Sequence, residues 1–80
     1  MKNIKPVAEI QDYGKIELHL REIMEKQDIS RNQLARLTST RFEVINKWYN
    51  GYVERIDTDI LARLCFCLGC TVDEIIEYKP

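Results

Sequence analysis

From Lys15 to Gln27 the apolar residues Ile16, Leu20, Ile23 and Met24 recur at i, i+4, i+7 and i+8, with Glu17, Glu22, Glu25 and Lys26 between them. One face of a 3.6-residue helix collects that set, so the spacing predicts an amphipathic first helix. Ser30 and Gln33 then stand three apart, ahead of Leu34, Ala35 and Leu37. A hydroxyl and a glutamine at that spacing satisfy each other's free backbone N–H groups, which predicts the start of a second helix. Thr38-Ser39-Thr40 ends it, because small hydroxyl side chains compete for the helical backbone; the cluster reads as a break and as a new N-cap. A third helix follows from about Arg41 to Asn50 with Val44, Ile45 and Trp48 on its apolar side, and Gly51 is placed to close it in the left-handed conformation. Its length of about 15 Å suits a major groove.

After a loop from Tyr52 to Asp57, Ile60, Leu61, Leu64, Cys65 and Leu68 mark a fourth helix that Gly69 terminates. Thr71 and Glu74 repeat the capping-box spacing and open a short fifth helix, Val72 to Glu77, which the tail Tyr78-Lys79-Pro80 stops. Five short helices with brief links predict an all-α domain over residues 15–80, with no strand needed for its core. Residues 1–14 contain Pro6, end at Gly14 and show no clean period, so they read as an N-terminal arm or a short strand.

Length narrows this picture. At 80 residues there is room for one domain. Such a chain buries only about 60 to 65% of its unfolded surface, so close helix packing or dimerisation is expected and a large ligand cavity is not. No stretch reaches the ~18 apolar residues of a membrane span, and the opening MKNIKPVAEIQDYG lacks the apolar core of a signal peptide. A cytoplasmic location is expected. The net charge of −1 argues mildly against nucleic acid, but its distribution matters more. Between Ile29 and Ile56, Arg31, Arg36, Arg41, Lys47 and Arg55 face only Glu43 and Glu54, a local balance of +3 between acidic ends.

Catalytic chemistry finds little support. There is one histidine, His19, no glycine-rich phosphate loop, and no nucleophile and base at a readable spacing, so no enzyme and no cofactor are expected. Cys65, Cys67 and Cys70 supply three thiolates where a structural zinc needs four ligands, and Cys65 shares the apolar stripe of Leu61, Leu64 and Leu68. Buried, reduced, inert cysteine is the expectation, with no metal; redox sensing by Cys67 is the alternative.

The stretch Arg31 to Asn50 carries the function. Ala35 sits where two helices must touch, a short polar turn follows, and the branched Ile45 comes ten positions after the alanine. That is the spacing of a helix-turn-helix, in which Ile45 and Trp48 anchor the second helix and leave its other face outward. Through Leu34-Ala35, Ile45, Gly51 and then Leu64, Leu68-Gly69, Val72 and Ile75-Ile76, the chain resembles the Cro/C1-type, XRE-like regulators. Leu64-Cys65, Leu68-Gly69-Cys70 and Asp73 to Tyr78 resemble a subgroup of small bacterial and mobile-element members. Ser39 stands where the family's turn has glycine, Thr38 and Thr40 where it has apolar residues, and Tyr49 where an acidic residue is common.

The resemblance implies a lambda-repressor-like five-helix domain that binds double-stranded DNA and regulates transcription, for instance as a repressor, with the third helix in the major groove. It places Arg41, Phe42, Glu43, Asn46 and Lys47 at base edges and Arg31, Asn50, Tyr52 and Arg55 at phosphates. The chemistry suits the residue types. Arg41 and Lys47 donate to guanine or phosphate, Asn46 pairs with adenine, Glu43 accepts from cytosine N4 and Phe42 touches a thymine methyl. Phe42 is either such a contact or folded back onto the core, whereas Trp48 reads as core. A single reading helix gains little specificity alone, so a homodimer is expected. No small-molecule substrate is evident. The rival reading is a helix-turn-helix module that binds a protein, as an accessory or antitoxin-like factor; near-neutral charge, Glu43 and Phe42 favour it.

Overall fold

A computed structural model describes residues 12–80 together with Ile4, Pro6 and Val7. The expected arm at residues 1–14 therefore falls mostly outside the described residues. The elements are β1 (Lys15–Leu18), α1 (Leu20–Gln27), α2 (Arg31–Thr38), α3 (Phe42–Asn50), α4 (Thr58–Leu68), α5 (Val72–Ile75) and β2 (Ile76–Lys79).

The all-α expectation is corrected at both ends of the domain. The first helix does not begin at Lys15; Lys15–Leu18 is extended and pairs antiparallel with Ile76–Lys79, with Ile16 opposite Tyr78 and Leu18 opposite Ile76. The fifth helix correspondingly stops at Ile75, two residues short of Glu77, and the tail continues as a strand rather than simply ending. Ile16 fits both the helical stripe and a period of two with Leu18, and the partner that decides between them lies some sixty residues away. Two short strands alone are marginal; Leu18 and Ile76 pack against the helical core and hold them.

Leu20, Met24, Leu34, Ile45, Leu64 and Ile75 are the largest fully buried side chains, and Trp48 joins them at 3% exposure, as core. At α2 the capping box is reciprocal, with Ser30 accepting from the Gln33 N–H while Gln33 accepts from that of Ser30; at α5 the Glu74 carboxylate accepts from both the N–H and the hydroxyl of Thr71, at 2.8 and 3.0 Å. Asp57 accepts from the N–H groups of Asp59 and Ile60 and starts α4. Gly51 and Gly69 close α3 and α4 in the left-handed region, as expected. The cysteines differ from expectation in degree. All three are free thiols, half-buried rather than buried, packed on the edge of the core. Burial pushes the Cys70 thiol up. Cys67 Sγ lies 3.4 Å from the Leu37 carbonyl.

At the β1–α1 junction His19 holds two elements together. Its ring nitrogens lie 2.9 Å from Glu22 on α1 and 2.7 Å from Glu77 on β2, and its backbone N–H donates to the Ile75 carbonyl at 2.7 Å. Hydrogen bonds to Glu22 and then to Glu77 raise the imidazole above its usual value, and His19 in turn lowers both carboxyls.

Candidate nucleic-acid interface

The frame of the site is the angle between α2 and α3, and its turn is fixed from both sides. Ala35, 8% exposed, lies beside Leu34 in the core that Ile45 and Trp48 of α3 also enter. Thr38 does not begin a new helix; it is the last residue of α2, buried, with its hydroxyl donating back to the Leu34 carbonyl at 2.7 Å. Ser39 takes the left-handed conformation, φ 53° and ψ 45°, that glycine ordinarily supplies at a helix end. This turn lets the Thr40 N–H reach the Ala35 carbonyl at 2.9 Å. The N-cap of α3 is Arg41, one residue past the hydroxyl cluster, and its side chain makes no capping bond.

A second clamp on the turn comes from α4. Arg63 donates to the carbonyls of Thr38 and Ser39, both at 3.1 Å, and pairs with Asp59 at 2.9 Å. A guanidinium at the carbonyl end of α2 satisfies acceptors that the helix leaves free and opposes its dipole. Sequence reasoning missed Arg63, since only its i, i+4 spacing from Asp59 is visible and nothing local places it against a turn more than twenty residues earlier.

With Ile45 and Trp48 turned inward, helical spacing puts Glu43, Asn46, Lys47 and Asn50 on the outer side of α3; Glu43, Lys47 and Asn50 are exposed and Asn46 is half-buried. Phe42, 39% exposed, flanks that face and is neither fully solvated nor in the core. Glu43, in the first turn, also complements the positive end of the helix. Arg41 is exposed beside them. At the other end of α3, Lys47, Tyr52 and Arg55 line one open groove of about 520 Å³ with Val44, Trp48 and Ile60. The structure thus brings together Lys47, Tyr52 and Arg55, and separately Phe42, Asn46 and Arg31.

Arg31 is the residue whose surroundings sequence reasoning did not foresee. From the first turn of α2 its guanidinium crosses to α3, donating to Asn46 Oδ1 at 2.6 Å, with its carbon 4.7 Å from the Tyr49 ring centre and 5.8 Å from that of Phe42. Arg21 of α1 lies 5.3 Å from the same Tyr49 ring. Aromatic packing against cations therefore stands at Tyr49, where the family commonly has an acidic residue. Among the described residues, none of Arg31, Arg36, Arg41, Lys47 and Arg55 takes part in an ion pair; all six pairs lie outside this segment.

A family described as Cro/C1-type HTH DNA-binding domain matches residues 19–80 of the chain. No curated protein sequence matches it.

Proposed function

The chain belongs to the Cro/C1-type helix-turn-helix DNA-binding family, and from that premise we propose that it recognises specific sequences in double-stranded DNA and regulates transcription, with α3 in the major groove. The observation that carries this reading is the outward side of α3: Glu43, Asn46 and Lys47 stand away from a core anchored by Ile45 and Trp48, on a turn clamped by Arg63. A helix held at both ends and polar on one side presents donors and acceptors to base edges. Arg41 and Phe42 at its start complete the base-facing set. Tyr52 and Arg55, with Asn50, sit where the strand backbone would run and set register through phosphates, joined by the remaining donors of Arg31. The protein acts in the cytoplasm as a homodimer, since two half-sites supply the specificity one short helix lacks. Its role involves no catalytic step.

One observation favours a second reading, a module that binds a protein. Leu37 and Phe66, 60% and 88% exposed, line a shallow groove beside Cys67. Fluorescence anisotropy of the full chain on pooled random duplexes at two salt concentrations separates the two. Affinity falling steeply with salt supports DNA binding, because each neutralised phosphate contributes a log–log slope of about −0.9. No binding at low salt overturns it in favour of the protein partner.

A further inference from the structure

Resting on the DNA-reading role of α3, we infer that Arg31 is a positioning residue that sets which way Asn46 reads a base. An asparagine amide has one accepting and one donating end, and pairing with adenine uses both: Oδ1 accepts from N6 while Nδ2 donates to N7. Here the choice of end is forced. A guanidinium has donors only, so the amide atom 2.6 Å from the Arg31 nitrogen is Oδ1. Arg31 is itself fixed, half-buried with its carbon over the Tyr49 ring at 4.7 Å and within 5.8 Å of Phe42. A charge-assisted bond to a stacked cation is stronger than a neutral one, and it holds the Asn46 amide in one orientation before DNA arrives.

The consequence is a change of base at one position. With Oδ1 turned toward α2, the two Nδ2 hydrogens are what Asn46 offers outward. Two donors match guanine, whose major-groove edge has two acceptors, N7 and O6, and one can also donate to the thymine O4; adenine would set its N6 donors against them. The adenine pairing that an asparagine ordinarily brings to a reading helix is thus replaced by preference for an acceptor-rich edge, guanine first. Arg31 exerts this preference without touching the base.

Selection of preferred sites from random duplexes, done in parallel with the wild-type chain, Arg31→Met, Asn46→Asp and Asn46→Ala, tests this. Methionine keeps an apolar stem against Tyr49 but cannot donate. Asn46→Asp keeps the partner of Arg31 and replaces the outward donor by an acceptor. In the wild type one half-site position, lost on Asn46→Ala, should favour guanine over adenine by about tenfold, the size of one good base contact. Arg31→Met should gain adenine there, and Asn46→Asp should shift to cytosine or adenine, whose edges donate. Circular dichroism melts establish that each variant is folded. Unchanged preference in folded Arg31→Met, or adenine preferred by the wild type at the Asn46 position, overturns the inference while leaving DNA binding intact. Failure of the wild type to bind any duplex overturns both together.

Discussion

Replacing Ser39 with glycine should make the domain more stable. Ser39 holds φ 53° between α2 and α3, where a β-carbon crowds the following carbonyl. That conformation costs an L-residue about 1 to 2 kcal/mol, and glycine returns about 0.5 to 1 kcal/mol of the relief through its freer unfolded chain. The net gain is about 0.5 to 1 kcal/mol, which for a domain of this size raises Tm by about 3 to 6 °C. Little else changes at the site. Ser39 is exposed, its hydroxyl has no hydrogen bond among the described residues, and the carbonyl that Arg63 uses belongs to the backbone. Thermal melts followed by circular dichroism on the wild type, Ser39→Gly and Ser39→Ala measure the effect. Alanine removes the hydroxyl but keeps the β-carbon, so it should show no gain. The reasoning fails if Ser39→Gly melts at or below the wild type, or if alanine stabilises as much as glycine. Asp28, at φ 55° after α1, is a built-in comparison. Aspartate tolerates the left-handed region better, so Asp28→Gly should gain less.

Leu64→Ala, at a fully buried position, should cost about 2 to 5 kcal/mol and remove most of the margin of so small a domain, read as a collapse of the urea midpoint. His19→Gln should destabilise in a pH-dependent way. The imidazole is raised above 6.5, so its contribution is full below that value and is lost as pH climbs through the raised one. The lowered Glu22 and Glu77 contribute above 4.5 and lose that contribution as pH falls through their own values. The Tm gap between wild type and His19→Gln should therefore be widest between those limits and narrow toward pH 8; a gap constant from pH 5.5 to 8 would contradict the linkage. Arg55→Ala should weaken binding similarly across DNA sequences and reduce the salt slope by about one, and a change confined to particular bases would remove Arg55 from the phosphate set.

Local signals carried the middle of the fold and failed at its margins, for a physical reason. Ser30 with Gln33, Thr71 with Glu74, and Gly51 and Gly69 at helix ends depend on groups within a few residues of each other, so spacing alone locates them. The pairing of Ile16 with Tyr78 depends on two distant segments meeting, and Ile16 continues the stripe of α1 closely enough to hide the break at His19. The candidate interface divides in the same way. Which side of α3 faces outward follows from Ile45 and Trp48, whereas the bond from Arg31 to Asn46 exists only once α2 and α3 cross. Residue type gave Asn46 both ends of its amide to use; tertiary structure commits one of them.

Charge is the other quantity that a total conceals. A chain of net −1 looks poorly suited to a polyanion, yet five of its thirteen acids are paired away from α2 and α3. Glu22 and Glu77 bind His19, Glu25 binds Arg21, Asp59 binds Arg63, and Glu17 and Glu77 lie beside Lys15 and Lys79. Every one of these pairs fastens the sheet, α1 or α4, and none reaches into α2, α3 or the loop after them. Arg31, Arg36, Arg41, Lys47 and Arg55 are left without a carboxylate partner among the described residues. Exposed pairs of this kind add little stability, so their larger effect is on where positive potential remains. Cations without a carboxylate partner in α2, α3 and the loop after them give that region a local sign that the net charge conceals. The bond to the neutral Asn46 amide leaves the charge of Arg31 in place, so these five cations bound the phosphates a single copy can neutralise, and a second copy, as in the proposed homodimer, is the natural means of strengthening the grip.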